Sequence, residues 1–195
     1  MEGLKLAPES PGASAEAALA FAMAGDSARA ESLAQDMRKR FPLDTQIKSL
    51  WLPAIQAQLA LNRKDPTLAL NILQVISPVE LAQFQFLANL SCLYPTYIRG
   101  EVYLAGGQGT SAAAEFQRII DHNGIVWNCW TGSLARLGVA RAKALLERNS
   151  AGAAGNADAG RIPPGDYKDF LKLWKDADPD IPIYKHAKAE YANLQ

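Results

Sequence analysis

Histidine and cysteine are nearly missing from this chain, with two of each in 195 residues. A structural metal cage usually draws on about four such ligands. Cys92 and Cys129 cannot build one unaided, so no metal is expected, and no sequence feature calls for another cofactor. Valine and threonine are also scarce, at five each. β-Branched residues favour strands and alanine favours helix, so their shortage beside abundant alanine points to an all-α chain. Net charge is absent too, because 20 Lys+Arg balance 20 Asp+Glu. A nucleic-acid binder shows a basic excess or stripe, so no nucleic acid is expected on this domain. No stretch reaches the roughly 18 apolar residues of a membrane span, and no charged-then-apolar signal sequence opens the chain. What remains is a hydrophobic fraction of 49% and a charged fraction of 21%. Those values are normal for a globular protein of one domain or one short repeat array.

Breaks divide the chain into short amphipathic segments. Residues 1–12 form an expected flexible leader, with a helix from Ser14 to about Ala24. Gly25-Asp26-Ser27 breaks it, and a second helix runs from Ala28 to Arg40, stopping before Pro42. A third spans about 45–61, with Pro53 predicting a kink or a late start. Asp65 caps a fourth, with Pro66 at its first position, ending near Ile76. Residues 79–91 read as a helical connector. Further helices are predicted over 94–105, 111–122, 132–147, 166–177 and 183–193. Residues 125–130 read as an apolar connector, and the Gly/Ala/Pro-rich stretch 149–165 as a flexible insert.

Helix pairs separated by one-turn breaks prompt a search for repeats. Gly100-x2-Tyr103 is followed nine residues later by Ala112-x3-Phe116. Phe21 is followed nine residues later by Ala30 and then, twelve on, by Pro42. Leu134-x2-Leu137-Gly138 restarts the pattern, with Arg141 where the aromatic belongs. Small residues (Gly100, Gly138 and Ala18, with Ala30, Ala69 and Ala112 opposite) let paired helices approach, and Phe21, Tyr103 and Phe116 fill the gap. This spacing resembles the tetratricopeptide repeat. The resemblance implies an α-solenoid of antiparallel helix pairs, with units at about 11–44, 45–78, 93–124 and 131–178, the second and fourth degenerate, and a capping helix at 183–193. An irregular helical bundle is the alternative.

The segments SAAAEFQRIIDHNGIV (111–126), LARLGVARA (134–142) and 167–195 further resemble the C-terminal repeat region of large bacterial serine/threonine protein kinases and of winged-helix regulators. That resemblance covers roughly 45–195. It implies a scaffold or sensor region of a signalling protein, extracytoplasmic if its parent is a membrane-anchored kinase and cytoplasmic otherwise. Kinase motifs themselves are missing from this chain: there is no Gly-rich loop with a Lys strand, no H-R-D and no D-F-G. Pro163-Pro164-Gly165 interrupts the expected fourth pair.

Other motifs favour bland readings. Gly106-Gly107-Gln108-Gly109 lacks the strand and Lys of a phosphate loop and reads as a helix-to-helix turn. Gly132-Ser133 lacks a nucleophile elbow, with nothing linking it to His122 or His186. Asp176, Asp178 and Asp180 lack the Gly and Glu of a calcium loop. Asn89-Leu90-Ser91 is a chance sequon. Cys92 and Cys129 precede equivalent helices and admit two states, a disulfide or two buried thiols. First helices stacked about 10 Å apart lie beyond disulfide reach, but the connector at 125–130 could bring Cys129 inward. Of the tryptophans, Trp174 is expected to pack, and one of Trp127 and Trp130 to be exposed.

In the repeat family the first helices line a concave groove. The alignment places Trp51, Gln58, Asn62, Tyr94, Tyr97, Glu101, Arg136 and Lys143 on it as partner-binding candidates. The family's chaperone-binding members hold a terminal carboxylate with basic and amide side chains. Ala15, Leu19, Ala54, Gln58, Tyr97, Glu101, Ala135 and Val139 stand there instead, so no chaperone tail is expected. The expected function is a non-catalytic adaptor binding a protein or peptide, with a spacer or self-association domain as the alternative.

Overall fold

The computed structural model describes residues 7, 9–76, 78, 80–81, 92–154 and 165–194, the side chains of 151–154 and 165 excepted. Helix is the only regular structure among the described residues, with no strand among them. Helix α1 covers Pro11–Met23. It begins earlier than Ser14 because Ser10 Oγ accepts from the Ala13 N–H at 3.2 Å and Pro11 sits in the first turn, where its missing N–H costs nothing. The expected leader is shortened accordingly, and residues 1–6 and 8 lie outside the described residues. Helix α2, Ser27–Arg40, is capped by Asp26, and α4, Pro66–Gln74, by Asp65. Each carboxylate accepts a backbone N–H three residues on, at 3.1 and 2.9 Å.

Pro53 acts on the chain before it. Residues 47–51 form a π-helical turn ahead of α3, Leu52–Asn62. A proline within a helix lacks the N–H owed to the residue four back and crowds that carbonyl. The widened turn relieves this, with the Leu52 N–H bonding five back to Ile47. Helix α5 spans Tyr94–Ala105, α6 Gly109–Asp121, the single-turn α7 Asn123–Val126, α8 Trp130–Ala154, α9 Gly165–Leu173 and α10 Pro182–Ala192.

Two helix ends differ most from the sequence reading. Helix α8 continues to Ala154 rather than stopping near 147, so the first part of the expected insert is helical. Alanine-rich composition sustains it, and the Ser150 hydroxyl is absorbed by the Leu146 carbonyl at 3.0 Å. Residues 155–164 lie outside the described residues. The helix α9 ends at Leu173, and 174–176 form a turn. Of the expected helical connector 79–91, Glu80 and Leu81 lie in a turn, and the rest is outside the described residues. The connector 125–130 is split between the end of α7, a turn and the start of α8.

Three helix pairs, α1–α2, α3–α4 and α5–α6, close with the same turn. The N–H of Asp26 bonds the Phe21 carbonyl, that of Asp65 the Ala60 carbonyl, and that of Gln108 the Tyr103 carbonyl, at 2.9, 3.0 and 2.8 Å. The residue before each donor is left-handed, at φ 82° in Gly25, 60° in Lys64 and 74° in Gly107. This is the six-to-one closure of a helix C-terminus, which favours glycine at its left-handed position. Packing follows the same order. The first helices of the pairs contact one another in order, α1 on α3 and α3 on α5, with α5 then contacting α8, and each second helix (α2, α4, α6) contacts the long helix that follows it. Helix α9 packs on α8, and α10 on α9.

The interior forms three apolar clusters along this stack. Ala18, Ala30, Ala69 and Ala112 are fully buried, as their small size at helix crossings requires. The tightest crossing surrounds Phe116 of α6. A β-carbon added to Gly100 of α5 would stand 2.7 Å from its ring, and one added to Gly138 of α8 2.5 Å. Both glycines sacrifice helix propensity, about 1 kcal/mol each, to admit the ring.

Three variants test this packing and the closing turn. Gly138→Ala should lower stability by about 1–2 kcal/mol despite better helix propensity, because the ring cannot retreat from a packed core. Gly124→Ala, with open space around it, should not. Lys64→Gly should raise stability by about 0.5–1 kcal/mol by relieving a left-handed lysine. Urea or thermal unfolding followed by circular dichroism measures all three.

Candidate functional site

Cys92 and Cys129 are joined as a disulfide with Cα atoms 5.6 Å apart. The helix spacing is bypassed because neither residue lies in a helix: Cys129 sits in the turn after α7, its N–H bonding the Val126 carbonyl at 2.9 Å. Thr131 Oγ1 also donates to the Cys92 carbonyl, at 2.6 Å. Closing a loop of 37 residues removes unfolded-state entropy worth about 4 kcal/mol.

Beside the disulfide runs a file of aromatic rings. Trp51 meets Tyr94 at 5.4 Å between centroids, Tyr94 meets Trp130 at 5.4 Å, Trp130 meets Tyr97 at 5.1 Å, and Tyr97 meets Phe116 at 5.6 Å. These spacings are those of favourable edge and offset contacts. Burial pushes the Tyr94 phenol up to about 12, with the charge of Glu16 adding to the effect. Burial raises Tyr97 well above the ordinary range as well, aided by Glu101.

A second feature is ionic. Glu80, fully buried, faces Arg99 of α5 in an ion pair and accepts Arg118 of α6 at 2.7 Å. Glu115 lies 3.6 Å from Arg99, and burial raises its carboxyl above the usual range while Arg99 opposes the rise. A buried carboxylate is tolerated when paired in this way, and removing one partner of such a group costs about 3–5 kcal/mol. The network ties the chain after α4 to α5 and α6.

The third feature is a cavity of 640 Å³ between α5, α8, α9 and α10. On one wall Arg141 donates through Nε and Nη2 to the two oxygens of Glu190, at 2.9 and 2.8 Å. The Tyr167 hydroxyl donates to the same carboxylate at 3.1 Å. Burial also pushes the Tyr167 phenol up, with Glu190 reinforcing it. In the sequence spacing Arg141 falls where Phe21 and Tyr103 fall, and here the position is ionic. Arg148 lies farther along α8 and is exposed. Leu104, Leu145 and Leu194 supply apolar wall.

The candidate partner-binding residues divide by exposure. Trp51, Tyr94 and Tyr97 are 3%, 6% and 5% exposed, and Gln58 is 8% exposed. They are core, so the solvent-facing role expected of them is not the role their packing gives them: the first helices crowd one another too closely to leave these positions open. Gln58 Nε2 donates to Asn62 Oδ1 at 3.0 Å, and Asn62, itself exposed, holds the Ala22 carbonyl at 2.6 Å. Glu101 is half-buried beside Tyr97 and Arg141. Arg136 is exposed, and Lys143 is exposed but pairs with Asp166 at 2.7 Å. The eight therefore do not converge on one surface. Sequence reasoning missed Glu190, Tyr167 and Arg148 at the cavity, and Glu80. The unusual Arg141 was the available signal for the first two, since a cation in a packing position needs an anion. Trp127 is the exposed tryptophan, at 64%, with φ 47° in a non-glycine turn, while Trp130 and Trp174 pack.

Among the described residues, no group of three or more His, Cys, Asp or Glu could hold a metal ion, and no helix is long and apolar enough to cross a membrane.

Burial pushes the Glu101 carboxyl above its ordinary 4.5, Arg141 pulling the other way. A carboxyl raised in the folded state binds its proton more tightly there than in the unfolded chain. Its contribution to stability is complete below its ordinary value and is lost as pH rises through the folded one. Glu101→Gln should therefore melt at or above wild type at pH 7, and the two should converge near pH 4. Thermal melts across pH 4–8 check this, and a wild type that gains on the variant as pH rises would contradict it.

No family model matches the chain, and no curated protein or solved structure matches it.

Proposed function

We propose that this chain is a non-catalytic protein-interaction module: a tetratricopeptide-like α-solenoid of helix pairs, capped by α10, that holds a segment of another protein. One observation carries the reading. Three successive pairs share one left-handed closing turn and stack first helix on first helix. A chain that repeats one structural unit gains extended surface rather than an enclosed reaction centre. The paired titratable groups support the same reading. Arg141 with Glu190, and Glu80 with Arg99 and Arg118, are mutually satisfied ions, which suits a structural role better than proton transfer.

The resemblance to repeat regions of bacterial signalling kinases supports reading the module as part of such a system, the part that senses or recruits while a separate domain acts. The Cys92–Cys129 disulfide favours an oxidising compartment, because cytosolic reductants keep most thiols free. The extracytoplasmic side of a membrane-anchored parent fits both. No cofactor enters this reading, and the partner is a protein or peptide.

Affinity capture tests it. Wild type, immobilised under non-reducing conditions, would be compared with the surface charge reversals Arg136→Glu, Lys143→Glu and Arg148→Glu, each first shown to keep its helical spectrum. A protein retained by wild type and depleted at least tenfold by one reversal is the expected result. Equal capture by all four, together with a concentration-dependent mass in sedimentation, would instead make the chain a spacer or self-associating domain.

A further inference from the structure

The cavity between α5, α8, α9 and α10 carries a charge balance that selects its occupant. Helix α8 is 25 residues long, about twice α5 at 12, and its later turns form the wall that no partner helix of ordinary length would provide. Arg141 spends its charge on Glu190 through two hydrogen bonds, and the Tyr167 hydroxyl holds the same carboxylate. Glu101 of α5 also acts on Arg141, so that set leaves no positive charge over. Arg148, two turns farther along α8, joins no ion pair among the described residues and is exposed at the cavity. The Asn193 amide lines the cavity as well, and Leu104, Leu145 and Leu194 complete its wall.

We propose that this cavity takes an acidic segment of a partner protein, seating a Glu or Asp side chain on Arg148 with aliphatic neighbours against Leu104, Leu145 and Leu194. The proposal rests on the reading of the chain as a protein-interaction module. A single planar guanidinium matches one carboxylate as a two-pronged donor. A phosphate would ask for a second free cation, and Arg141 is already neutralised by Glu190. An inorganic anion would gain nothing from three leucines, whereas a peptide buries aliphatic surface there. A cavity of 640 Å³ lies within the range of sites that enclose small ligands or a few side chains.

The test uses a displayed library of random decapeptides, selected on the full chain under non-reducing conditions. Selection runs in parallel on wild type, Arg148→Glu and, as a control outside this cavity, Arg136→Glu. Peptides rich in Asp or Glu beside Leu, Ile or Val should be enriched on wild type and on Arg136→Glu. The best of them, synthesised, should bind Arg148→Glu at least tenfold more weakly. Its Glu→Gln version should lose a similar factor on wild type, and its Glu→Arg version should regain affinity for Arg148→Glu. Because Arg148 is exposed, an unchanged melting temperature shows that the variant folds. Enriched peptides without acidic residues, or equal binding by wild type and Arg148→Glu, would overturn this assignment while leaving a peptide-binding module standing. No enrichment on any of the three would overturn both.

Discussion

The ring of Phe116 sets the spacing of the middle of this molecule. It projects from α6 into a gap bounded by α5 and α8, and each neighbour yields a side chain to admit it: Gly100 on one side and Gly138 on the other. Neither glycine is needed for its backbone angles, since both lie inside helices. They are there because the axes must come close enough for one benzene ring to touch both. Once that distance is set, the neighbouring positions follow. Tyr97, one turn before Gly100, meets the same ring edge-on and then Trp130, which continues the contact to Tyr94 and Trp51. Aromatic residues that look like binding anchors in the sequence are drawn into the core by the close approach that the glycines permit.

The segment between α4 and α5 is secured by different physics. Its near end is held by Glu80, whose buried carboxylate is neutralised by Arg99 and Arg118 from the two following helices. Its far end is held covalently, by Cys92 bonded to Cys129, with Thr131 closing the Cys92 carbonyl. Cys92 and Leu93 are both left-handed there, at φ 47° and 51°. Single residues in that region carry a cost of about 1–2 kcal/mol each, which the disulfide's larger contribution outweighs. An ionic clamp and a covalent one thus bracket a connection whose length exceeds that of a tight helix-to-helix turn.

Much of the helical layout was legible because it depends on local rules. Asp26 and Asp65 ahead of their helices, Pro66 in a first turn, and Gly25 and Gly107 in the closing turns are recognisable without tertiary knowledge. The nine-residue offset from Tyr103 to Ala112 and the pairing of Gly100 with Phe116 carried the packing as well. Exposure was not legible. Whether Tyr97 faces solvent depends on how closely α8 approaches α5, and that distance is decided by Gly138, 41 residues away. Glu80 reads as an ordinary surface carboxylate, because nothing local announces that Arg99 and Arg118 will meet over it. Lys64 shows the reverse limit: the turn was placed correctly, yet a lysine occupies the left-handed site where glycine serves in the other two.

Arg141 shows how the proposed site arises from a departure within the pattern. In the sequence spacing that position carries Phe21 or Tyr103, which pack partly buried against the apolar clusters. An arginine there cannot be left in a half-buried setting without an anion, and α10 delivers Glu190 with Tyr167 from α9 as second donor. Polar contacts hold helices by fixed geometry rather than by filling space, so a void persists beside this one. The overlong α8 then carries Arg148 to the edge of that void, beyond the reach of Glu190, whose two oxygens already accept Arg141. Beside Arg141 there is therefore a cavity, an exposed Arg148 that joins no ion pair among the described residues, and an apolar wall. Those are the three things that recognition of an acidic, aliphatic segment requires.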